Sequence, residues 1–480
     1  MPCVNCVGCS STWSRPSSAY NRISFCGHLS SSGFYRCPLS LRSSCDANKY
    51  NLAVSCSSTS GPSDSNPEPS SNRKSYSRRW HNPLPRRRHP DQMPSSRIVR
   101  DWIDSDSTTP LSQVSERFTV VSYNILGDRN ASHHKDLYTN VSFPYLKWGY
   151  RKRLICEELI RLNPDIICLQ EVDKYFDLFS MMEKAGYAGS YKRRTGDNID
   201  GCAMFWKADR FRVLERENIE FSQFGMCDNV AQLAVLELRK CKSRKILLGN
   251  IHVLYNPNKG DVKLGQIRSL CSKAHLLSKK WGDIPIVLGG DFNSTPQSPL
   301  YSFLASSELN IIEHDKKELS GQKKCRPTQV LETGSKSSNT IMFNSSSWTN
   351  EEIRVATGQE NSYWAVHPLK LNSSYASVKG SANNTRDSVG EPLATSYHSK
   401  FLGTVDYLWY SDGLVPARVL DTLPIDVLCK TKCLPCKELG SDHLALVSEL
   451  RFFYLWFTNG LSVFLQITRI IWYDTKPTSP

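Results

Sequence analysis

Asp291 and Asn293 stand two residues apart in Ile284–Pro299, IPIVLGGDFNSTPQSP. An acid beside a carboxamide suits holding a water or a metal next to a phosphate. The apolar run Ile284–Leu288 and two glycines precede them. A buried strand ending this way delivers the next side chains to a sheet edge, and glycine lets the backbone approach a ligand closely. On extended backbone both side chains point to the same side. One such pair is weak evidence, because an Asp at a strand end is as often a turn former. The pattern recurs, however. Asn124, Glu171, His252 and Asp406 also lie at the ends of apolar runs, as does the pair Asp442-His443 inside GSDH. The set is rich in oxygen and includes no Cys or Ser suited as nucleophile. Such donors suit Mg²⁺, with Mn²⁺ able to substitute, rather than Zn²⁺. Hard cations with oxygen ligands serve phosphoryl chemistry.

The elements that must position these residues follow from periodicity. Phe118–Leu126, Asp165–Val172, Lys245–Val253, Ile284–Leu288, Thr404–Trp409 and Leu444–Leu450 read as strands. Tyr150–Leu162 has Leu154, Ile155, Leu159 and Leu162 on one face, and Asn163-Pro164 stops it. Asp261–Trp281 is a second helix, with Ile267, Leu270, Cys271, Ala274 and Leu277 inward. Strands outnumber the intervening helices. That predicts an α/β fold with two facing sheets and helices outside, not one doubly wound sheet.

Charge divides the 480-residue chain. The net charge is +14, yet residues 1–100 alone hold 14 Lys/Arg against 4 Asp/Glu. The basicity therefore describes an N-terminal arm and says little about the folded part. The arm, 1–115, reads as unfolded. Its Ser- and Arg-rich, acid-poor start fits a plastid or mitochondrial transit peptide, or else a disordered arm in which Arg86, Arg87 and Arg88 mark a nuclear-localisation or RNA-binding patch. Residues 116–452 form the folded domain. Within it 315–400 reads as a long, partly disordered insertion, rich in Ser, Asn and Gly. Its sequons at Asn344, Asn372 and Asn383 carry no meaning without a secretory signal. Several cysteines sit in apolar runs and read as free, buried and reduced, which favours an intracellular compartment. The triplets Cys3, Cys6, Cys9 and Cys429, Cys433, Cys436 lack the second pair or nearby His that a zinc site needs. The apolar tail 453–480 is broken by Asn459-Gly460, Gln466 and Arg469. It reads as a packed extension or an alternatively encoded end, rather than a tail anchor, so a membrane is not an expected partner.

Five short motifs agree in order and spacing with a known group. Tyr123-Asn124, Leu169-Gln170-Glu171, Gly290-Asp291-Phe292-Asn293, Asp406-Tyr407 and Ser441-Asp442-His443 resemble the endonuclease/exonuclease/phosphatase superfamily, over Arg117 to Phe452. Asn256-Pro257-x-x-Gly260-Asp261-Val262-Lys263-Leu264, Asp200-Gly201-Cys202-Ala203 and Phe401-x-Gly403-x-x-Asp406-Tyr407 resemble its carbon catabolite repressor 4-type deadenylases and their Angel relatives, in plant-type form. The resemblance implies a four-layered α/β sandwich. It also implies Mg²⁺-dependent 3′-to-5′ shortening of mRNA poly(A) tails, in cytoplasm and nucleus.

Roles carry over by position. Glu171 matches the metal-binding carboxylate, with Asn124 beside it, and Asp442 a ligand for a second metal. Asp291 matches the acid that orients or deprotonates the attacking water, and Asn293 steadies the phosphoryl group. His252 and His443 match histidines that stabilise charge on the phosphate oxygens, Asp406 orienting His443. Phe401 and Pro257 match positions that sandwich an adenine. The deadenylases commonly carry Thr-Asn-Tyr-Thr ahead of Phe-x-Gly, but here the residues are Thr395-Ser396-Tyr397-His398, so Ser396 replaces the base-contacting Asn. No leucine-rich repeat precedes the domain, which puts docking to deadenylation-complex proteins in doubt. The expected partner is RNA with a poly(A) 3′ end. Two rival readings stand beside this one: a phosphatase or phosphodiesterase of the same fold, acting on 2′,3′-cyclic RNA ends or a small nucleotide, and an inactive RNA-binding protein.

Overall fold

The computed structural model describes residues 98–106, 116–332, 347–380 and 385–453. The arm up to residue 97, the sequons at Asn344 and Asn383, and the tail from residue 454 lie outside the described residues.

Two mixed sheets face each other. The first has seven strands, in the order Trp102–Asp104, Leu414–Leu420, Leu446–Phe452, Arg117–Asn124, Ile166–Gln170, Gly201–Lys207 and Tyr187–Arg193. The second has six: Leu371–Ser373, Asp406–Ser411, Ile286–Asp291, Cys241–His252, Val230–Leu238 and Phe211–Glu220. Most neighbours are antiparallel. Arg117–Asn124 runs parallel to Ile166–Gln170, and Cys241–His252 parallel to Ile286–Asp291.

Alternation along each strand sorts the side chains into layers. Val120, Ile166, Cys168, Leu236, Leu248, Val287 and Leu408 fill the space between the sheets. Val121, Ile167 and Leu169 point the other way, onto Ile155 and Leu159 of the helix Trp148–Leu162. On the far side, Leu247, Leu288 and Trp409 meet Leu264, Ile267, Leu270 and Ala274 of Gly260–Lys280. The result is helix, sheet, sheet, helix, as expected. Because both faces of the central strands are buried, their sequences are continuous apolar runs. The helix Trp148–Leu162 stops where Asn163 turns left-handed at φ 46° ahead of Pro164.

Two expectations about extent are corrected. The domain does not begin near Arg117, for Trp102–Asp104 adds an edge strand to the first sheet by pairing with Leu414–Leu420. Arg100 anchors this approach through the Asp421 carbonyl at 2.7 Å and faces Glu158 at 3.8 Å. Three residues are too few to show a period. The segment 315–400 is also more ordered than its composition suggested. Asn350–Thr357 buries Ile353 and Ala356 in the same cluster as the helix Gly260–Lys280, and Tyr375 and Val378 enter the core between the sheets. Its elements are short, so their apolar residues never build a long periodic signal.

The glycines of the central strand serve a different purpose from the one expected. A Cβ on Gly290 would stand 2.2 Å from the Ile251 carbonyl oxygen. One on Gly289 would stand 3.1 Å from Leu408 and 3.3 Å from Ser122. The glycines let neighbouring backbone and the opposite sheet close in; ligand approach is not what they permit.

Candidate active site

Strand ends from both sheets converge on one cavity of about 700 Å³. Glu171, His252, Asp291, Asn293, Asp442 and His443 line it, with Ser396 and Phe401 on another part of the wall. Asn124 and Asp406 lie behind this lining. Pro257 is half-buried in the turn before Gly260 and does not reach the lining. The lining thus includes Phe401 and leaves Pro257 outside it. Phe401 has the His398 ring beside it, 6.0 Å between centroids and tilted by 33°.

Asn124 ties the two sheets together at the floor. Its Nδ2 donates to Glu171 Oε1 at 3.2 Å and to Asp291 Oδ2 at 3.0 Å. Its Oδ1 accepts from the Leu126 N–H at 3.0 Å. Asn124 thus aligns the two carboxylates. Glu171 Oε2 accepts from the Gly127 N–H at 3.0 Å and from Asn130 Nδ2 at 2.7 Å. Burial works to raise the Glu171 pKa. The neighbouring His252, the Asn130 and Gly127 donors and His443 outweigh it, holding the carboxyl down at about 2.

Asp291 and Asn293 do not share an extended strand. The strand ends at Asp291, and Asn293 is left-handed at φ 47°. The Asn293 N–H folds back onto Asp291 Oδ1 at 2.9 Å. Asp291 thus forms the turn and also faces the cavity, where His252 Nε2 stands 3.5 Å and His443 Nε2 4.0 Å from its Oδ2. His443 Nδ1 meets Asp406 Oδ2 at 2.8 Å, and Thr395 Oγ1 donates to the same oxygen at 2.6 Å. Burial alone would lower the His443 pKa. The Asp406 charge and hydrogen bond, with Asp442 and Asp291, push it up instead, to about 10. The Asp406 contact thus favours the protonated ring and fixes its orientation. Asp442 accepts from Tyr138 OH at 2.9 Å. Burial raises its pKa, and Glu171 adds to the rise against the pull of His443.

The donor chemistry fits a hard divalent cation. Asp291, Asp406 and His443 offer ligand atoms within 4.8 Å of one another, a buried group that can hold a metal ion. Buried Asp406 Oδ1 has no hydrogen-bond partner. Asp406 Oδ2 is committed to His443 and Thr395, so the acids with the freest outlook on the cavity are Glu171, Asp291 and Asp442. Carboxylates in this number, without a lysine or arginine paired to them, call for a cation.

Sequence reasoning missed several contributors. Asn130, in the short helix Asp128–His133, orients Glu171, and Tyr138, just after the turn Lys135–Leu137, orients Asp442, with no period to betray either. Thr395 holds Asp406. Lys263 and Gln322 bracket Asn293 from behind, and Lys263 lies in the very stretch, Asn256–Leu264, that carried part of the resemblance. The sheet Ser396–His398 and Phe401–Gly403 is tied to the acid–histidine pair, since Ser396 bridges His443 and the Tyr397 N–H donates to the Asp442 carbonyl at 2.9 Å. The wall that carries Ser396 and Phe401 and the Asp442-His443 segment are thus one hydrogen-bonded unit. Cys3, Cys6 and Cys9 lie outside the described residues; among the described residues Cys429, Cys433 and Cys436 form no metal-ligating group, and no helix is long and apolar enough to cross a membrane.

Comparison with known proteins gives a consistent picture. The profile of the Endonuclease/Exonuclease/phosphatase family matches residues 121–443. Carbon catabolite repressor protein 4 homolog 3 of Arabidopsis thaliana is 83% identical over 454 residues, 94% of this chain and 99% of that protein. Protein angel homolog 2 of Mus musculus is 30% identical over 387 residues, 72% of this chain and 71% of that protein. The crystal structure of ANGEL2, a 2′,3′-cyclic phosphatase, in complex with adenosine-2′,3′-vanadate, superimposes with a TM-score of 0.60 at 31% identity, covering 74% of this chain and 99% of that one.

Proposed function

Since the chain belongs to the endonuclease/exonuclease/phosphatase family, its carbon catabolite repressor 4 and Angel branch, we propose that it is a Mg²⁺-dependent 3′-exoribonuclease that shortens poly(A) tails. The observation that carries this reading is the floor of the cavity. There Glu171 and Asp291, from different sheets, share the Asn124 donor beneath two histidines, with an aromatic wall alongside.

The chain's own residues divide the work. Asp291 Oδ2, facing inward, accepts the proton of the attacking water. Asn293 offers an N–H to a phosphoryl oxygen. His443, held by Asp406, and His252 stabilise the negative charge that grows on the phosphoryl oxygens. Glu171, with Asp442 and Asp291, would hold the cation, which when bound neutralises phosphoryl charge as a Lewis acid. Phe401 supports the terminal base by stacking.

A second reading has its own support. The ANGEL2 likeness favours hydrolysis of a 2′,3′-cyclic phosphate at an RNA end, because that structure holds adenosine-2′,3′-vanadate. Both reactions place a 3′-terminal nucleoside against the same wall and a phosphodiester over the same acids. The test is direct: the purified protein is given labelled oligo(A), mixed-sequence RNA and RNA ending in a cyclic phosphate, with Mg²⁺. Stepwise shortening of oligo(A) supports the first reading. Opening of the cyclic phosphate without shortening replaces it with the second. Binding without turnover of any substrate leaves the inactive RNA-binding protein.

A further inference from the structure

Asn293 is held from behind by a closed set of contacts that decides which end of its amide meets the cavity. Lys263, in the first turn of Gly260–Lys280, is fully buried. Its ammonium donates to the Asn293 backbone carbonyl at 2.8 Å and to Gln322 Oε1. Gln322 Nε2 donates to Asn293 Oδ1 at 3.0 Å, and Asn293 Nδ2 donates to the Val253 carbonyl at 2.9 Å. This chain has only one polarity. The Val253 carbonyl can only accept, so the Asn293 nitrogen must face it. The Asn293 oxygen then faces Gln322, whose nitrogen must meet it, and whose oxygen is left for Lys263. One Asn293 N–H remains, and Asn293 lines the cavity.

We propose that Lys263 and Gln322 are positioning residues that fix Asn293 as a hydrogen-bond donor toward the phosphoryl group; this rests on the reading of Asn293 given above. Neither reaches the reacting atoms by its charge. Lys263 is shut away from solvent, and it grips the backbone of a left-handed residue that would otherwise have to be held there by the turn alone. Burial holds the Lys263 pKa well below its usual range, with Asp291 pulling it back up. The polarity stands in either protonation state, because the Val253 carbonyl sets it from the other end. A donor fixed before substrate arrives costs no reorganisation during the reaction.

Two substitutions separate this role from a merely structural one. Gln322→Glu keeps shape and pairs with Lys263, but sets a carboxylate oxygen against Asn293 Oδ1. The amide then has an acceptor on both sides, so neither orientation satisfies both neighbours and its donor is no longer fixed toward the cavity. Gln322→Met leaves Lys263 only the Asn293 carbonyl and sets no acceptor against Asn293 Oδ1, so the Val253 carbonyl still fixes the amide. We expect Gln322→Glu to keep the wild-type melting temperature while kcat falls roughly 100-fold at nearly constant KM, the scale of losing one preorganised donor. Gln322→Met should melt lower yet keep more kcat. A structural role alone gives the opposite order, and kcat in Gln322→Glu equal to wild type overturns the proposal. Lys263→Met should also lose kcat; should it fail to fold, the Gln322 pair still decides. Wild-type protein that hydrolyses neither oligo(A) nor cyclic-phosphate RNA would fail the functional reading itself. The clamp is then judged from the Asn293 side-chain amide in nitrogen-15 spectra, which should exchange slowly in wild type and shift in Gln322→Glu. Fast exchange in wild type, or an unshifted signal in the variant, rejects it.

Discussion

Asn124 and Asp291 are 167 residues apart and end strands of opposite sheets, yet Asn124 Nδ2 meets Asp291 Oδ2 at 3.0 Å. One amide nitrogen therefore closes the seam between the sheets where the acids gather. Asn124→Leu removes the donor shared with Glu171 and leaves two carboxylates facing each other undamped. We expect turnover to fall by roughly 100-fold, in line with misplaced reacting groups, and the Mg²⁺ concentration for half-maximal rate to shift. A titration of rate against Mg²⁺ on oligo(A) checks this. Wild-type rates at every concentration would mean the acids are held elsewhere.

Metal removal gives a sharper outcome. Chelator should abolish activity and Mg²⁺ or Mn²⁺ restore it. Glu171→Ala should lose roughly 10³-fold or more in rate, as expected when several kcal/mol of charge stabilisation disappear. Mg²⁺ should also raise the melting temperature of wild type but not of Glu171→Ala, since a ligand bound only by the native state stabilises it. Full activity of the variant in chelator ends the metal reading.

The Asp406–His443 pair predicts a matched effect. His443→Ala should lose turnover with the fold intact. Asp406→Asn should lose it too, because the amide can hold the ring in the wrong tautomer and no longer sustains the imidazolium. Circular dichroism of both variants should overlay on wild type while kcat drops. Near-normal kinetics in both would reduce the pair to a turn.

Buried His367 gives the chain a stability signature at mild acidity. Its Nε2 lies 3.0 Å from the Phe303 carbonyl, and burial holds its pKa down at about 4. The unfolded chain titrates it near 6.5, so between those values the unfolded state binds more protons than the folded one. Stability from this group is full above pH 6.5 and is lost as pH falls toward 4, at most roughly 3 kcal/mol. His367→Gln should flatten that part of the stability curve measured by urea unfolding at pH 7, 6, 5 and 4. An unchanged slope would show that His367 titrates normally.

How far the sequence reached has a physical explanation. Strands buried on both faces are continuous apolar runs, so Asn124, Glu171, His252 and Asp291 could be found where those runs end. Asp406 and His443 were found for the same reason, and all six side chains meet. Asn130, Tyr138 and Gln322 escaped because they sit on or just after short helical turns and act only through contacts across the fold. Pro257 came by resemblance alone, since a turn residue carries no periodic signal. Trp102–Asp104 was lost in the arm because an edge strand of three residues, tied mainly by Arg100, has no pattern of its own.

Substrate choice is the last outcome at stake. Phe401 is buried at the cavity wall beside His398, whose ring also meets Tyr138 edge-on at 6.3 Å. Phe401→Ala should weaken RNA binding by about 1–3 kcal/mol, the usual worth of one base stacked on a ring. Stacking accepts any base, so selectivity must come from hydrogen bonds to the base edge. Ser396 lines the cavity where deadenylases commonly carry Asn, and a hydroxyl cannot pair with adenine in the bidentate way a carboxamide can. Its backbone also bridges His443. We therefore expect poly(A) to be preferred over poly(U), but by less than where the Asn is present, and Ser396→Asn to sharpen the preference. Rates on A-, U- and C-tailed RNA, measured side by side with a cyclic-phosphate end, decide the matter. Equal rates on all tails together with fast opening of the cyclic phosphate would reject tail shortening and leave the end phosphatase.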